Sequence, residues 1–348
     1  MKQLKTIIPI LLSILSFTMT TQAQNVSDIS QFLKAEKSDA TSLLKSYVSP
    51  AMNAMSNGIN NGWYTTGQVH KKLGFDLGVS LNAVFTPSAD EYFIPALSSK
   101  TVFVNQTNPG AGAPSIVGPK DKTQYTSTYD PDGNGPLPSQ AFSISGPEGL
   151  DFKKNIGFSA LPLPMIQLGI GTIKNTDLKI RYVPSITSGG ASFQLFGIGL
   201  QHDIKQYIPG VKELPFDLSV LFGYTSISGN SSLVSTNTSI SSPDGNFTYK
   251  LSAWTLQAII SKKISVLTLY AAGGYGSASS NVDITGTFNI KTSTIPFSVT
   301  NPLALETSNN SGRLTGGLRL KFGPVYFSGD YTLQKYDVFT MGFGFAVR

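Results

Sequence analysis

The last eleven residues, Val338 to Arg348, alternate with a period of two. Phe339, Met341, Phe343, Phe345 and Val347 share one side, and Thr340, Gly342, Gly344 and Ala346 share the other. That spacing is a strand with one greasy and one small or polar face. Phe75 to Phe85 repeats it, with Phe75, Leu77, Val79 and Leu81 set against Asp76, Gly78, Ser80 and Asn82. Comparable segments lie at about 155–173, 176–186, 191–203, 215–228, 246–262, 264–277, 311–322 and 325–336, which makes ten with the two above. A chain of so many two-faced strands must hide its greasy faces in a protein core or turn them to lipid.

Three features favour lipid. Lys2 and Lys5 precede an apolar stretch from Ile7 to Met19 and a small-residue site at Thr21-Gln22-Ala23. This pattern predicts a secretory signal peptide over 1–23, cleaved to leave Gln24 first. Beyond it, no apolar run nears the roughly 20 residues of a spanning helix, so any membrane crossing is by strands. Only 13% of residues are charged, against about 25% in soluble domains. The expectation is an all-β, antiparallel transmembrane β-barrel in the outer membrane of a Gram-negative bacterium.

Tyr92 to Val104 and Ala141 to Ser145 are two further strand candidates, so about twelve strands are expected, within a range of ten to fourteen. The connections alternate as in such barrels, with short turns on the periplasmic side and long loops outside. Gly323-Pro324, Lys262-Lys263, 202–215 and Lys174-Asn175 are compact, whereas 229–245, 278–310 and the stretch after Pro87 are long and rich in Ser, Thr, Asn and Gly. Ahead of the barrel (63–348), residues 24–62 form an N-terminal segment. Ile29, Phe32, Leu33, Leu43, Leu44, Tyr47 and Val48 have helical spacing, broken near Lys37-Ser38-Asp39, with Pro50 ending that helix or opening a short second turn to Asn57. This segment either plugs the lumen or packs on the rim.

Turning the more apolar face to lipid predicts a lumen lining of Asp76, Ser80, Asn82, Lys179, Arg181, Asp217, Gln257, Arg313, Arg319, Lys321, Asp330 and Gln334. Charges belong there, because each one facing lipid near the midplane costs roughly 2–4 kcal/mol. The set reads either as a mildly anion-preferring constriction or as ion pairs filling a narrow barrel, with Arg319 and Asp330 as neighbours across the Gly323 turn. Trp63, Trp254, Tyr270, Tyr326, Tyr331 and Tyr336 are candidates for the aromatic girdles at the interfaces.

Little in the chain carries other chemistry. Absence of cysteine excludes disulfides, cysteine-borne lipid and thiolate metal sites. Its two histidines, His70 and His202, fall near strand ends without clustered partners, so no catalytic residue is expected. Asp130, Asp132 and Asn134, followed by Gly135, have the spacing of calcium ligands, yet the twelfth position is Ala141 where a bidentate Glu belongs, and a plain turn fits as well. Formal charge is +6, falling to +4 when Lys2 and Lys5 leave, with no basic run, so no nucleic-acid partner is expected.

The run His202 to Gly210, followed by Leu214-Pro215-Phe216-Asp217-Leu218-Ser219, resembles an uncharacterised family of outer-membrane proteins from Bacteroidetes. Gly62-Trp63-Tyr64 and His70 to Asp76 are similar too. The resemblance spans most of the mature chain, implies a barrel and its location, and implies no catalytic residues. In layout alone, the chain is similar to fatty-acid-transporter barrels. The expected function is an outer-membrane barrel, not an enzyme, that passes or binds small molecules, apolar ones included. The alternative is a barrel that presents its long loops to partners. Surrounding lipid is the one partner both readings require.

Overall fold

The computed structural model describes residues 31–98, 101–104, 112–121, 123–128, 142–188, 191–236, 240–291 and 296–347. The expected signal peptide and the calcium candidates Asp130, Asp132 and Asn134 lie outside them.

Ten antiparallel strands close a barrel. They are β1 (Phe75–Phe85), β2 (Ala160–Gly171), β3 (Thr176–Ser188), β4 (Ala191–Asp203), β5 (Asp217–Ser232), β6 (Asn246–Ile264), β7 (Leu267–Thr285), β8 (Leu303–Phe322), β9 (Val325–Leu333) and β10 (Val338–Val347). Each strand pairs with the next in sequence, and β1 closes the ring on β10, with Phe75 opposite Val347 and Val84 opposite Val338. The closed ring pairs the strands with both neighbours, the condition for strands in hydrocarbon, although β2 and β3 join only over Gln167–Gly171 and Asp177–Arg181. Ten strands lie at the lower end of the expected range of ten to fourteen, two below the central figure of twelve. Tyr92–Phe93, Thr101–Val104 and Phe142–Gly146 do form strands, but in small sheets outside the barrel.

The turns at one end are tight. Lys174 and Asn175 both have positive φ, the conformation of a two-residue hairpin turn, and Gly323 supplies another. The β6–β7 turn falls at Ser265-Val266, three residues beyond its expected place, because the pairing runs on to Ile264 opposite Leu267. At the other end β5 to β8, of 16 to 20 residues, outrun their neighbours β9 and β10, of 9 and 10. The overhanging strands carry a four-stranded sheet (Ser235–Thr236, Ile240–Ser242, Thr287–Ile290, Phe297–Thr300), which completes a head above the barrel.

A short 3-10 turn, Gln31–Lys34, leads into one helix, α1 (Lys37–Gly58). The break thus comes at Ala35-Glu36, ahead of the expected site, and Pro50 stays inside the helix. Packing overrides the lost backbone bond: Leu43, Leu44, Tyr47, Pro50, Met52 and Ala54 are all buried. α1 touches β1 and β2 on one side of the ring and β7 and β8 on the other, so it stands within the circle of strands. Its apolar face and the overhanging strands share one core, which includes Phe32, Tyr125, Leu251, Val282, Phe288 and Leu303.

Candidate functional site

From Gly58 the chain does not leave the barrel. Residues 59–74 thread its lumen from the loop end to the turn end, where β1 begins. The expected boundary between helical segment and barrel, at residue 63, falls within this stretch, and the first barrel strand begins at Phe75.

Polar groups on strands all around the ring hold this segment. Arg181 on β3 is wholly buried and donates to the carbonyls of Ile59 (2.9 Å) and Asn61 (2.7 Å), and to Gln167 (3.0 Å). Gln167 on β2 donates to the Trp63 carbonyl, and Arg313 on β8 donates to Asn61 Oδ1. Tyr64 donates to Gln257 on β6 at 2.7 Å. Gln201 on β4 reaches the Thr66 carbonyl, while Ser261 on β6 accepts from the Gly67 amide. At the turn end Asp177 accepts both the His70 amide and a bond with His70 Nδ1, at 2.9 and 2.8 Å.

Trp63 is the keystone of the segment. The Arg181 guanidinium lies 3.6 Å from its ring centroid, a cation–π geometry that removal from water strengthens. The opposite wall is made of backbone: a Cβ on Gly199 would meet the indole at 2.9 Å, and one on Gly223 at 2.7 Å. Glycine at these two inward positions makes room for the ring.

The predicted lumen residues fall as follows. Asp76, Asn82, Lys179, Arg181, Gln257, Arg313, Arg319 and Asp330 are buried inside. Ser80 faces in beside Gly62. Asp217 and Lys321 are partly exposed near the turn end, and Gln334 near the loop end donates to the Asn57 carbonyl. Their contacts differ from the expected ion pairs. Arg319 and Asp330 do not pair; Arg319 lies 4.0 Å over the Tyr326 ring, and Asp330 accepts from Tyr270 at 2.8 Å. Arg181 binds carbonyls and the Trp63 ring of the filling, Arg313 binds the Asn61 side chain, and Arg319 covers Tyr326 on the wall, so the lumen is packed by an inserted segment where an ion-pair lattice was one expectation. A polar void of about 30 Å³ beside Asp76, Tyr326 and Thr340 is the size of a water molecule.

Four of the girdle candidates also move inside: Trp63, Tyr270, Tyr326 and Tyr336 are buried, while Trp254 and Tyr331 face outward. Pairing then reveals a girdle at the loop end of the belt. Tyr224 stands opposite Trp254 across the β5–β6 ladder, Trp254 lies 6.1 Å from Tyr275 between ring centroids, and Tyr331 stands opposite Phe339.

Strand by strand, the polarity reverses at that girdle. On β7 the outward residues below it are Leu269, Ala271, Gly273 and Tyr275, and the inward ones Thr268, Tyr270, Ala272 and Gly274. Above it the outward residues are Ser277, Ser279, Asn281 and Asp283, and the inward ones Ala278, Ser280, Val282 and Ile284. β6 switches in register, with Lys250 and Ser252 outward above Trp254, and Leu256 and Ile260 below. Below the girdle the barrel is apolar outside and polar inside; above it the order is that of a soluble protein.

The head holds a partly open apolar cavity of about 150 Å³ between α1 and the long strands. Leu33, Leu44 and Val48 line one wall, and Phe247, Val282 and Phe288 the other; its only polar lining residue is Ser231. In the same head, burial raises the Tyr125 phenol and lowers the Lys34 ammonium from their ordinary values.

His202 bonds Thr176 and Tyr207 at the turn-end rim. Among the described residues, no three His, Asp or Glu side chains gather as a metal site.

Residues 1–347 match a family of unknown function (DUF6588). The chain belongs to this family. No curated protein matches it. Among solved structures it is similar to Ail of Yersinia pestis (14% identity, 49% of this chain and 91% of that one, TM-score 0.23). It is similar also to the translocator domain of autotransporter NalP from Neisseria meningitidis (11%, 80% and 90%, 0.30). A third is the outer membrane transporter YddB from Escherichia coli (9%, 78% and 41%, 0.28). The barrel itself rests on the closed hydrogen-bond register, not on these likenesses.

Proposed function

We propose that this member of the family is a sealed outer-membrane barrel that binds small apolar molecules and has no enzymatic activity. Lipid covers the belt below the girdle, the tight turns face the periplasm, and the head faces outward. An exported chain from a Gram-negative bacterium, with its signal peptide removed, fits this placement. The Bacteroidetes resemblance and the fatty-acid-transporter layout, with its N-terminal segment ahead of the barrel, agree with it.

One observation carries the reading: residues 59–74 fill the polar lumen, bonded to strands around the ring. A solute can cross only if the segment leaves, so binding belongs to the head and the lumen is a lock. Planar-bilayer recordings test this. The intact protein is expected to be silent, and Arg181→Ala to show openings as the segment loosens. Steady conductance by the intact protein overturns the sealed reading.

The alternative, a barrel that presents its outer surface to partners without transport, draws on the same sealed lumen and on the four-stranded sheet at the tip of the head. Shortening the Thr287–Thr300 hairpin is expected to abolish partner capture under that reading and to leave small-molecule binding intact under the first.

A further inference from the structure

We infer that the cavity under α1 is a ligand site for one small, uncharged hydrocarbon, about the size of a single aromatic ring. The inference rests on the reading above that the head is the binding part, and it names the class of molecule bound.

Size comes first. Dry apolar cavities of about 150 Å³ take up a benzene-sized guest, and this cavity has that volume. Chain ordering adds to the case, because the void lies between two separately built walls. One wall is α1 with its preceding turn, carrying Leu33, Leu44 and Val48, and the other is the overhang of β5 to β8 together with Phe288 of the four-stranded sheet. Both walls are otherwise closely packed: Leu33, Leu44, Val282 and Phe288 are each buried in the common core, yet a gap remains at their meeting. Collapse of one wall onto the other is prevented from below, where α1 ends at Gly58, whose backbone lies so close to Val84 and Leu163 that a Cβ would meet them at 2.4 and 2.5 Å.

Chemistry selects the guest. With a lining of Leu, Val, Ile and Phe and the single hydroxyl of Ser231, the cavity offers nothing to a charge and leaves a buried carboxylate or ammonium uncompensated. An uncharged ring fits; benzoate, the same ring with a charge, does not. Position sets the route. The cavity lies above the aromatic girdle, so a guest enters from the outer medium and reaches the lumen only past α1.

The test uses full-length protein in lipid nanodiscs, with fluorobenzene as probe and ¹⁹F line width as readout. Empty nanodiscs give the partitioning background. A saturable component above that background is expected, displaced by benzene and not by benzoate. Val282→Phe from one wall and Leu44→Phe from the other are each expected to remove it by filling the space, and heat-modifiable gel mobility reports whether each barrel is folded. Broadening that never saturates, or that both folded variants retain, overturns the site. Conductance is read on the same preparations. A conducting barrel that still binds fluorobenzene refutes the seal and leaves the site, and a silent barrel without the saturable component refutes the site and leaves the seal.

Discussion

The lower and upper halves of β7 are one continuous strand with one backbone pattern, yet their side chains answer to opposite surroundings. Below Tyr275 the strand turns Leu269 outward and Thr268 and Tyr270 inward; above it Ser279 and Asn281 face out, and Val282 and Ile284 face in. Burial therefore does not by itself decide which residues go inside. The medium beyond the wall decides, and the wall's inner face must then match what fills it: the polar backbone of 59–74 below, the apolar face of α1 above.

The sharpest way to break this comparison is to remove the residue that ties filling to wall. Arg181→Ala leaves the carbonyls of Ile59 and Asn61 without their donor and strips the cation from the Trp63 face. A stability loss of about 3–5 kcal/mol is expected in urea unfolding from lipid vesicles, because charged hydrogen bonds and the penalty of orphaned acceptors both count. A loss under about 1 kcal/mol means that water replaces the guanidinium and the lumen is not sealed.

The boundary itself is tested by one charge placed twice on the same face of the same strand. Leu269→Arg puts it in the belt and is expected to cost about 2–4 kcal/mol. Ser279→Arg, ten residues further along, stands in water and is expected to change stability by no more than about 0.5 kcal/mol. Equal effects at the two sites place the girdle elsewhere.

Much of this was legible in the sequence, for a physical reason. The period-two pattern depends only on the backbone, so ten strand segments could be read off, as could the inward burial of Arg181, Arg313 and Arg319, though not the upper reaches of β5, β7 and β8. What fills the lumen was not legible, because residues 59–74 have no repeat: their backbone bonds go to side chains that lie more than 100 positions away, such as Arg181 and Gln201. A signal was nevertheless present. Glycine stands at the inward positions 199 and 223, a hollow that a wide empty pore has no need of. Trp63 suits a girdle by sequence because its two faces, apolar ring and polar N–H, fit an interface as well as a packed lumen. The head escaped for the same reason that the polarity switch matters: the outward residues of 277–283 are polar, which alone reads as a loop.

That hollow gives the third prediction. Gly223→Ala places a methyl 2.7 Å from the indole, so either Trp63 shifts or the wall bends. About 1–3 kcal/mol is expected, as for other overpacked cores. In a Trp254→Phe background, where Trp63 is the remaining tryptophan, its emission is expected to move to the red. Trp63→Leu should then relieve the effect of Gly223→Ala, and a failure to relieve it removes the ring from that seat.

The smallest effect discriminates a packed lumen from a hydrated one. Tyr64→Phe deletes the hydroxyl that donates to Gln257 Oε1 at 2.7 Å and leaves that acceptor unpaired among buried atoms. In a sealed lumen this costs about 1 kcal/mol or more, and Gln257→Leu added to Tyr64→Phe should restore part of it, because a buried polar group is most expensive when only one partner is present. In a lumen that admits water, solvent satisfies Gln257 in the single variant, the coupling between the two substitutions falls toward zero, and the difference assigned here to the two halves of the barrel reduces to the lipid boundary alone.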